Sequence, residues 1–223
     1  MMENAVAVMQ NLLYDKPLFD WTKEPSNIKI LTLGAGVYAQ KFIDLCLEVG
    51  QIPGYYLEIT SLSENSDAVK EAYTAKRSAL GNFVNINGSL DEDDGEKYGV
   101  LNFEQAKFIE NNLEGNKKII EDYLLLNGYR YIFVDLGNNE LNKNIAKYIA
   151  DVLRILEVEK FLVNFVTTKD FQNTDDSDIN AIIINKDVDV TSSISELDRV
   201  AFNTHLVWKN ALNADIEKNS KRI

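Results

Sequence analysis

The segment IKILTLGAGVYAQKFIDLCLEVG, residues 28–50, decides how the rest of the chain is read. Its first part, IKILTL (28–33), is an apolar run of strand length. A glycine-bearing turn follows, and then Phe42, Ile43, Cys46, Leu47 and Val49 fall on one broad stripe of a helix. A buried strand that passes through a tight turn into an amphipathic helix is the opening unit of a layered α/β domain.

The same rhythm continues in both directions. Upstream, ENAVAVMQNLLY (3–14) has apolar residues at helical spacing, and Pro17 and Pro25 bracket a connecting segment. Downstream, GQIPG (50–54) breaks the helix before a second strand, YYLEITSL (55–62). A polar helix, SDAVKEAYTAKRSAL (66–80), is predicted next, with Ser66 as cap and Ala68, Ala72, Tyr73 and Leu80 facing inward. NFVNIN (82–87) reads as a third strand, and residues 102–126 as a long helical region interrupted near Gly115. A strand at YRYIFVDL (129–136), a helix at NNELNKNIAKYIADVLRIL (138–156) and strands at KFLVNFVT (160–167) and NAIIIN (180–185) follow. SISELDRVAFNTHLVWKNAL (193–212) closes the pattern as a helix capped by Ser193 or Ser195. Continuous apolar strands separated by helices predict a doubly wound, mostly parallel sheet with helices on both faces. The expected division is an N-terminal helix and connector (1–27), the α/β domain (28–190), and a C-terminal helix and tail (191–223) leading to a further domain or a partner.

Composition narrows the function. The chain of 223 residues carries a formal net charge of −12, with acidic clusters at DEDDGE (91–96) and DDSD (175–178). That balance repels polyanions, so nucleic acid is not an expected partner. Neither cluster has the spacing of a calcium loop, and both read as solvated loops. One cysteine and one histidine leave no basis for a disulfide framework or a cysteine-cluster metal site. No apolar run has the length of a membrane span and the start does not resemble a signal peptide, which places the protein in the cytoplasm by expectation.

The turn itself reads Gly34-Ala35-Gly36-Val37-Tyr38-Ala39, a G-x-G-x-x-A pattern directly after a strand and opening a helix. Gly34 permits the tight turn, and Gly36 lets a backbone approach a pyrophosphate with no Cβ in the way. Ala39 allows close helix–strand packing, and the free N–H groups at the helix start, from Ala35 through Val37 and Tyr38, face an anion. The bland alternative is that small residues here only relieve crowding between helix and sheet.

ILTLGAGVYAQKFIDLC and YIFVDLGNNELNKNIA together make residues 28 to about 168 resemble the NAD-binding Rossmann domains of the TrkA type, which regulate potassium transport. The resemblance implies that Gly34, Gly36 and the backbone of Val37 and Tyr38 contact a pyrophosphate. It also implies that Leu136, Gly137 and Asn138 border the adenosine side, that the ligand is NAD or NADP, and that the chain pairs as a homodimer. An acidic side chain at the end of the second strand receives the ribose in NAD sites. Here that place falls to Ser63, with Glu64 next and Glu58 earlier in the strand. Lys76 and Arg77 are the cations available to a 2′-phosphate, although helix-surface cations are ordinarily just solvated.

Other residues at the same sheet edge are Asp135, Asn138 and Asn139, one of the asparagines capping the next helix, and Thr167, Thr168 and Lys169. His205 sits beside the packed stripe of the last helix, Cys46 on a buried helix face, and no Ser-His-Asp set or Tyr-x-x-x-Lys pair is present. The shortage of acid–base groups favours a regulatory module that binds or senses a nucleotide without turning it over. An S-adenosylmethionine-dependent methyltransferase is the enzyme alternative, since ILTLGAG looks like that family's first motif. A ThiF-like adenylating fold and a ligand-free scaffold stay open.

Overall fold

The structure of the protein, a computed structural model, describes residues 2–21, 27–51, 55–88, 97–168 and 176–184. Among these, seven strands form one sheet: β1 (Asn27–Leu33), β2 (Tyr56–Ser63), β3 (Val84–Ile86), β4 (Gly99–Gln105), β5 (Tyr131–Val134), β6 (Leu162–Thr167) and β7 (Ile179–Ile183). The order is β3-β4-β2-β1-β5-β6-β7 and every pairing is parallel. Five helices accompany them: α1 (Met2–Asp15), α2 (Val37–Val49), α3 (Ser66–Ala75), α4 (Leu113–Asn127) and α5 (Asn139–Ile155). The sheet is entered at its middle by β1 and extended by β2 and by the edge strand β3, with β4 inserted between those two; the chain then returns to lay β5 on the other flank of β1. This is the doubly wound, Rossmann-like arrangement, and the reversal opens a crevice at the carboxyl ends of β1, β2 and β5.

Alternation along β5 shows how both faces are filled. Tyr131 and Phe133 enter the core shared with α1, α2 and α3, while Ile132 and Val134 enter the core shared with α4 and α5. Phe42 of α2 stacks on Tyr131 and Phe133 at centroid distances of 5.8 and 4.4 Å. Such ring pairs contribute about 0.5–1.5 kcal/mol beyond their burial. They fix the start of α2 over the end of β1, which is where the glycine turn lies.

Three expectations are corrected. Residues 102–105, expected to be helical, belong to β4, and α4 begins only at Leu113. Non-local pairing decides this: β4 lies between β2 and β3 in register from Leu57↔Gly99 to Ser63↔Gln105. Asn87 extends that ladder past β3. Its backbone N–H donates to Leu101, and its carboxamide takes both the N–H and the C=O of Phe103, at 2.8 and 3.3 Å. Asn65, not Ser66, precedes the first turn of α3 as its cap residue, and Ala68 and Ala72 are exposed while Tyr73 is buried. The final helix with His205, Lys169 and the DEDDGE segment lie outside the described residues. Within DDSD, Asp176 and Asp178 are not merely solvated: they hold Arg154 at 2.5 and 2.9 Å.

Between α2 and the end of α3 a half-buried polar strap adds to the apolar packing. Asp44 accepts both forks of Arg77 at 2.7 and 2.6 Å, the Tyr73 hydroxyl at 2.6 Å and Lys41 at 3.0 Å. The Arg77 guanidinium lies 3.7 Å over the Tyr73 ring. Burial works against charge on Asp44, but the hydrogen bonds from Arg77, Tyr73 and Lys41 outweigh it and hold its carboxyl below the usual range. A depressed folded-state value contributes stability that is complete above the unfolded value of about 3.9 and is lost as pH falls through the folded one. Urea midpoints followed down the acid limb should therefore drop more steeply for the native protein than for Asp44→Asn. Parallel acid limbs would show that the strap carries no linked charge.

Candidate functional site

The crevice at the carboxyl edge holds a cleft of about 380 Å³. Its floor is the turn after β1. Gly34 has φ +100, a left-handed conformation, and a Cβ built there would lie 1.9 Å from the Asp135 carbonyl oxygen. At Gly36 the backbone is ordinary, but a Cβ would meet the Asp135 carboxylate at 2.4 Å. These two positions are glycine because the end of β5 presses against them.

The amides of the turn divide into two sets. Gly34 N–H donates to the Leu62 carbonyl at 2.8 Å, and Ala39 N–H donates to Asp135 Oδ2 at 3.3 Å. Among the described residues, the N–H groups of Ala35, Gly36, Val37 and Tyr38 meet no acceptor in hydrogen-bonding geometry. Gly36 is the N-cap of α2 and has no side chain to offer. Asp135, buried to 8% exposure, supplies a cap from a distant strand end. Its carboxyl is pushed up by burial, offset in part by N–H groups of Ala39 and Gly137.

On the β2 side, Ser63, Glu64 and Asn65 line the cleft. Ser63 closes the strand and is 6% exposed, and its hydroxyl is buried with no hydrogen-bond partner. Glu64 sits at the rim, paired with Lys107. Glu58 lies well back in the strand, bonded to Lys29 at 3.1 Å, and is not at the site. Of the two cations expected near a 2′-phosphate, Arg77 is committed to Asp44, and Lys76 ends α3 without lining the cleft.

The third wall comes after β5. Leu136 and Gly137 line the cleft, whereas Asn138, which was expected beside them, caps α5 by accepting from Leu141 N–H at 3.0 Å. Asn139 and Thr168 satisfy each other reciprocally, at 2.8 and 3.0 Å, and neither reaches the cleft. The backbone of Leu136 is held by Asn142, whose Oδ1 accepts its N–H at 2.7 Å and whose Nδ2 donates to the Val166 carbonyl at 2.8 Å. Val37 and Tyr38, expected to offer their amides to the same anion, do not line the cleft. Val69 of α3 also lines the cleft, as do Ala106 and Phe108, which the sequence reading lacks because they follow a strand it takes for helix. The short apolar run Val100-Leu101 followed by Phe103 before a polar stretch is the signal available for them.

Among the described residues no lysine, arginine or histidine lines the cleft, and Glu64 and Asp135 are the ionisable ones that do. Among the described residues no cluster of histidine, cysteine and carboxylate side chains suits a metal ion, and no helix is long and apolar enough to cross a membrane.

No protein-family model and no curated protein matches the chain. A solved structure that is similar to it is that of RSP, a Rex-family repressor, at 15% sequence identity and a TM-score of 0.33, covering 89% of this chain and 68% of that one.

Proposed function

We propose that this chain is a regulatory module that binds NAD(H) or a related dinucleotide at the carboxyl edge of its sheet and senses it without turning it over. The observation that carries this reading is the pairing, in one cleft, of open amides at Ala35 and Gly36 with the buried hydroxyl of Ser63, unpartnered among the described residues. The amides suit a diphosphate at a helix start, and Ser63 with Glu64 suits the hydroxyls of the adenosine ribose. Glu64 at that rim disfavours a 2′-phosphate, so NAD(H) is preferred to NADP(H). Occupancy would be passed to a second copy of the chain in a homodimer, or to a further domain or partner beyond residue 190.

A second reading, S-adenosylmethionine as ligand, is favoured by one specific feature. The Asp135 carboxylate at the glycine turn suits an ammonium or sulfonium group better than a phosphate. Titration with NAD⁺, NADH, NADPH, S-adenosylmethionine and ATP, following thermal stability, separates the readings. A ligand at a hundredfold its dissociation constant stabilises the fold by about 2.7 kcal/mol. A response to S-adenosylmethionine alone would replace the first reading, and silence with all five would leave a ligand-free scaffold.

Ser63 tests the site from the opposite direction. An unpaired buried hydroxyl costs stability, so Ser63→Ala should raise the unfolding free energy by about 1 kcal/mol. The same change should weaken nucleotide binding about tenfold, equivalent to about 1.4 kcal/mol. Urea denaturation and titration on one preparation check both signs. Loss of stability together with unchanged binding would assign the hydroxyl to the fold instead of a ligand.

A further inference from the structure

The cleft departs from a plain phosphate cradle at Asp135. Its carboxylate packs against the Cα of Gly36, close enough that a Cβ there would fall 2.4 Å from Oδ2 and 3.1 Å from Cγ. It also accepts the third amide of α2, so an anion of the protein already stands at the helix start that a diphosphate needs.

We infer that Asp135 decides what the glycine turn accepts: a diphosphate reaches the open amides only when the Asp135 carboxyl takes up a proton from solvent. Protonation converts a competing anion into a hydrogen-bond donor toward a phosphate oxygen. This rests on the nucleotide-binding reading and adds to it a named selectivity residue.

The surroundings support the coupling. Among the described residues no cation lines the cleft to neutralise both anions at once. Among the described residues Tyr38 of α2 feels the Asp135 charge, and Glu64, tied to Lys107 from the segment after β4, lines the β2 side of the same cleft. Burial and then the charge of Asp135 push the Tyr38 hydroxyl up, so Tyr38 stays neutral. Burial likewise pushes the Asp135 carboxyl up, which lowers the cost of protonating it. Ser63 is the independent sign that the cleft awaits a ligand, since its buried hydroxyl has no partner among the described residues.

The test is calorimetric titration with NAD⁺ from mildly acidic to mildly alkaline pH, in two buffers of different ionisation enthalpy. Uptake of a proton on binding is expected, with affinity falling by up to about tenfold per pH unit above the Asp135 value. Asp135→Asn, which mimics the neutral acid, should bind NAD⁺ without proton uptake and with a flat pH profile. NAD⁺ binding without proton uptake by the native protein would overturn the inference and leave the nucleotide-binding reading standing. Failure of both proteins to bind NAD⁺ would end both. Binding of S-adenosylmethionine that Asp135→Asn loses would also overturn it, by giving the carboxylate a cation. If Asp135→Asn does not fold, the two-buffer titration of the native protein decides alone.

Discussion

Gly34→Ala is expected to give a protein that does not fold cooperatively. The residue has φ +100, where an alanine carries strain of about 1–3 kcal/mol. The added Cβ would also lie 1.9 Å from the backbone oxygen of Asp135 and 2.6 Å from its carbonyl carbon. Backbone cannot swing aside as a side chain can, so the turn after β1 and the end of β5 would have to separate. The loss should exceed about 4 kcal/mol, a large part of the 5–15 kcal/mol typical of a domain. Urea denaturation checks it, and a midpoint close to that of the native protein would show that the contact between turn and strand is soft. Gly36→Ala should be milder, since its backbone is unstrained and the clashing group is a side chain.

Asn142→Leu should have the next largest effect. Asn142 is 2% exposed and satisfies two backbone groups on neighbouring strand ends, Leu136 N–H and Val166 C=O. A leucine of similar size keeps the volume and abandons both. Each deserted buried group costs about 1–3 kcal/mol, so a loss of about 3 kcal/mol is expected. Asn142→Asp separates the two roles, because it keeps the acceptor for Leu136 and places a carboxylate oxygen against the Val166 carbonyl. It should be at least as damaging as Asn142→Leu; near-native stability of either variant by thermal denaturation would mean that water can replace the carboxamide. Because Leu136 and Gly137 wall the cleft, a stable but loosened variant should also bind nucleotide more weakly.

What was legible in the sequence was local. The strand 28–33, the glycine turn and the stripe of Phe42, Ile43, Cys46 and Leu47 are read from residues within one helix turn of each other, and all stand in the structure. The doubly wound class followed because continuous apolar strands alternate with helices. β4 was hidden because its identity rests on β2, some forty residues upstream, and on a loop asparagine that mimics a strand rung. The site divided along the same line. Ser63 and Glu64 follow from the end of the second strand and Leu136 and Gly137 from the resemblance to TrkA-type domains, and all four line the cleft. Asp135 was seen at the edge, but its bond to Ala39 spans 96 residues and no spacing announces it. Asn138 could cap a helix or face a ligand by sequence alone, and the Leu141 amide decides for the cap.

One edge of the sheet has a consequence for how copies of the chain meet. β3 offers three residues, and the rung beyond it is filled by the Asn87 carboxamide, while Asn87 itself has φ 51, in the left-handed region, where the chain departs. An incoming strand from another molecule would find a template too short to zip onto, and a chain carrying twelve excess negative charges behind it. Short margins of this kind discourage open-ended polymerisation by strand addition. Strand addition between copies at the β3 edge is accordingly disfavoured.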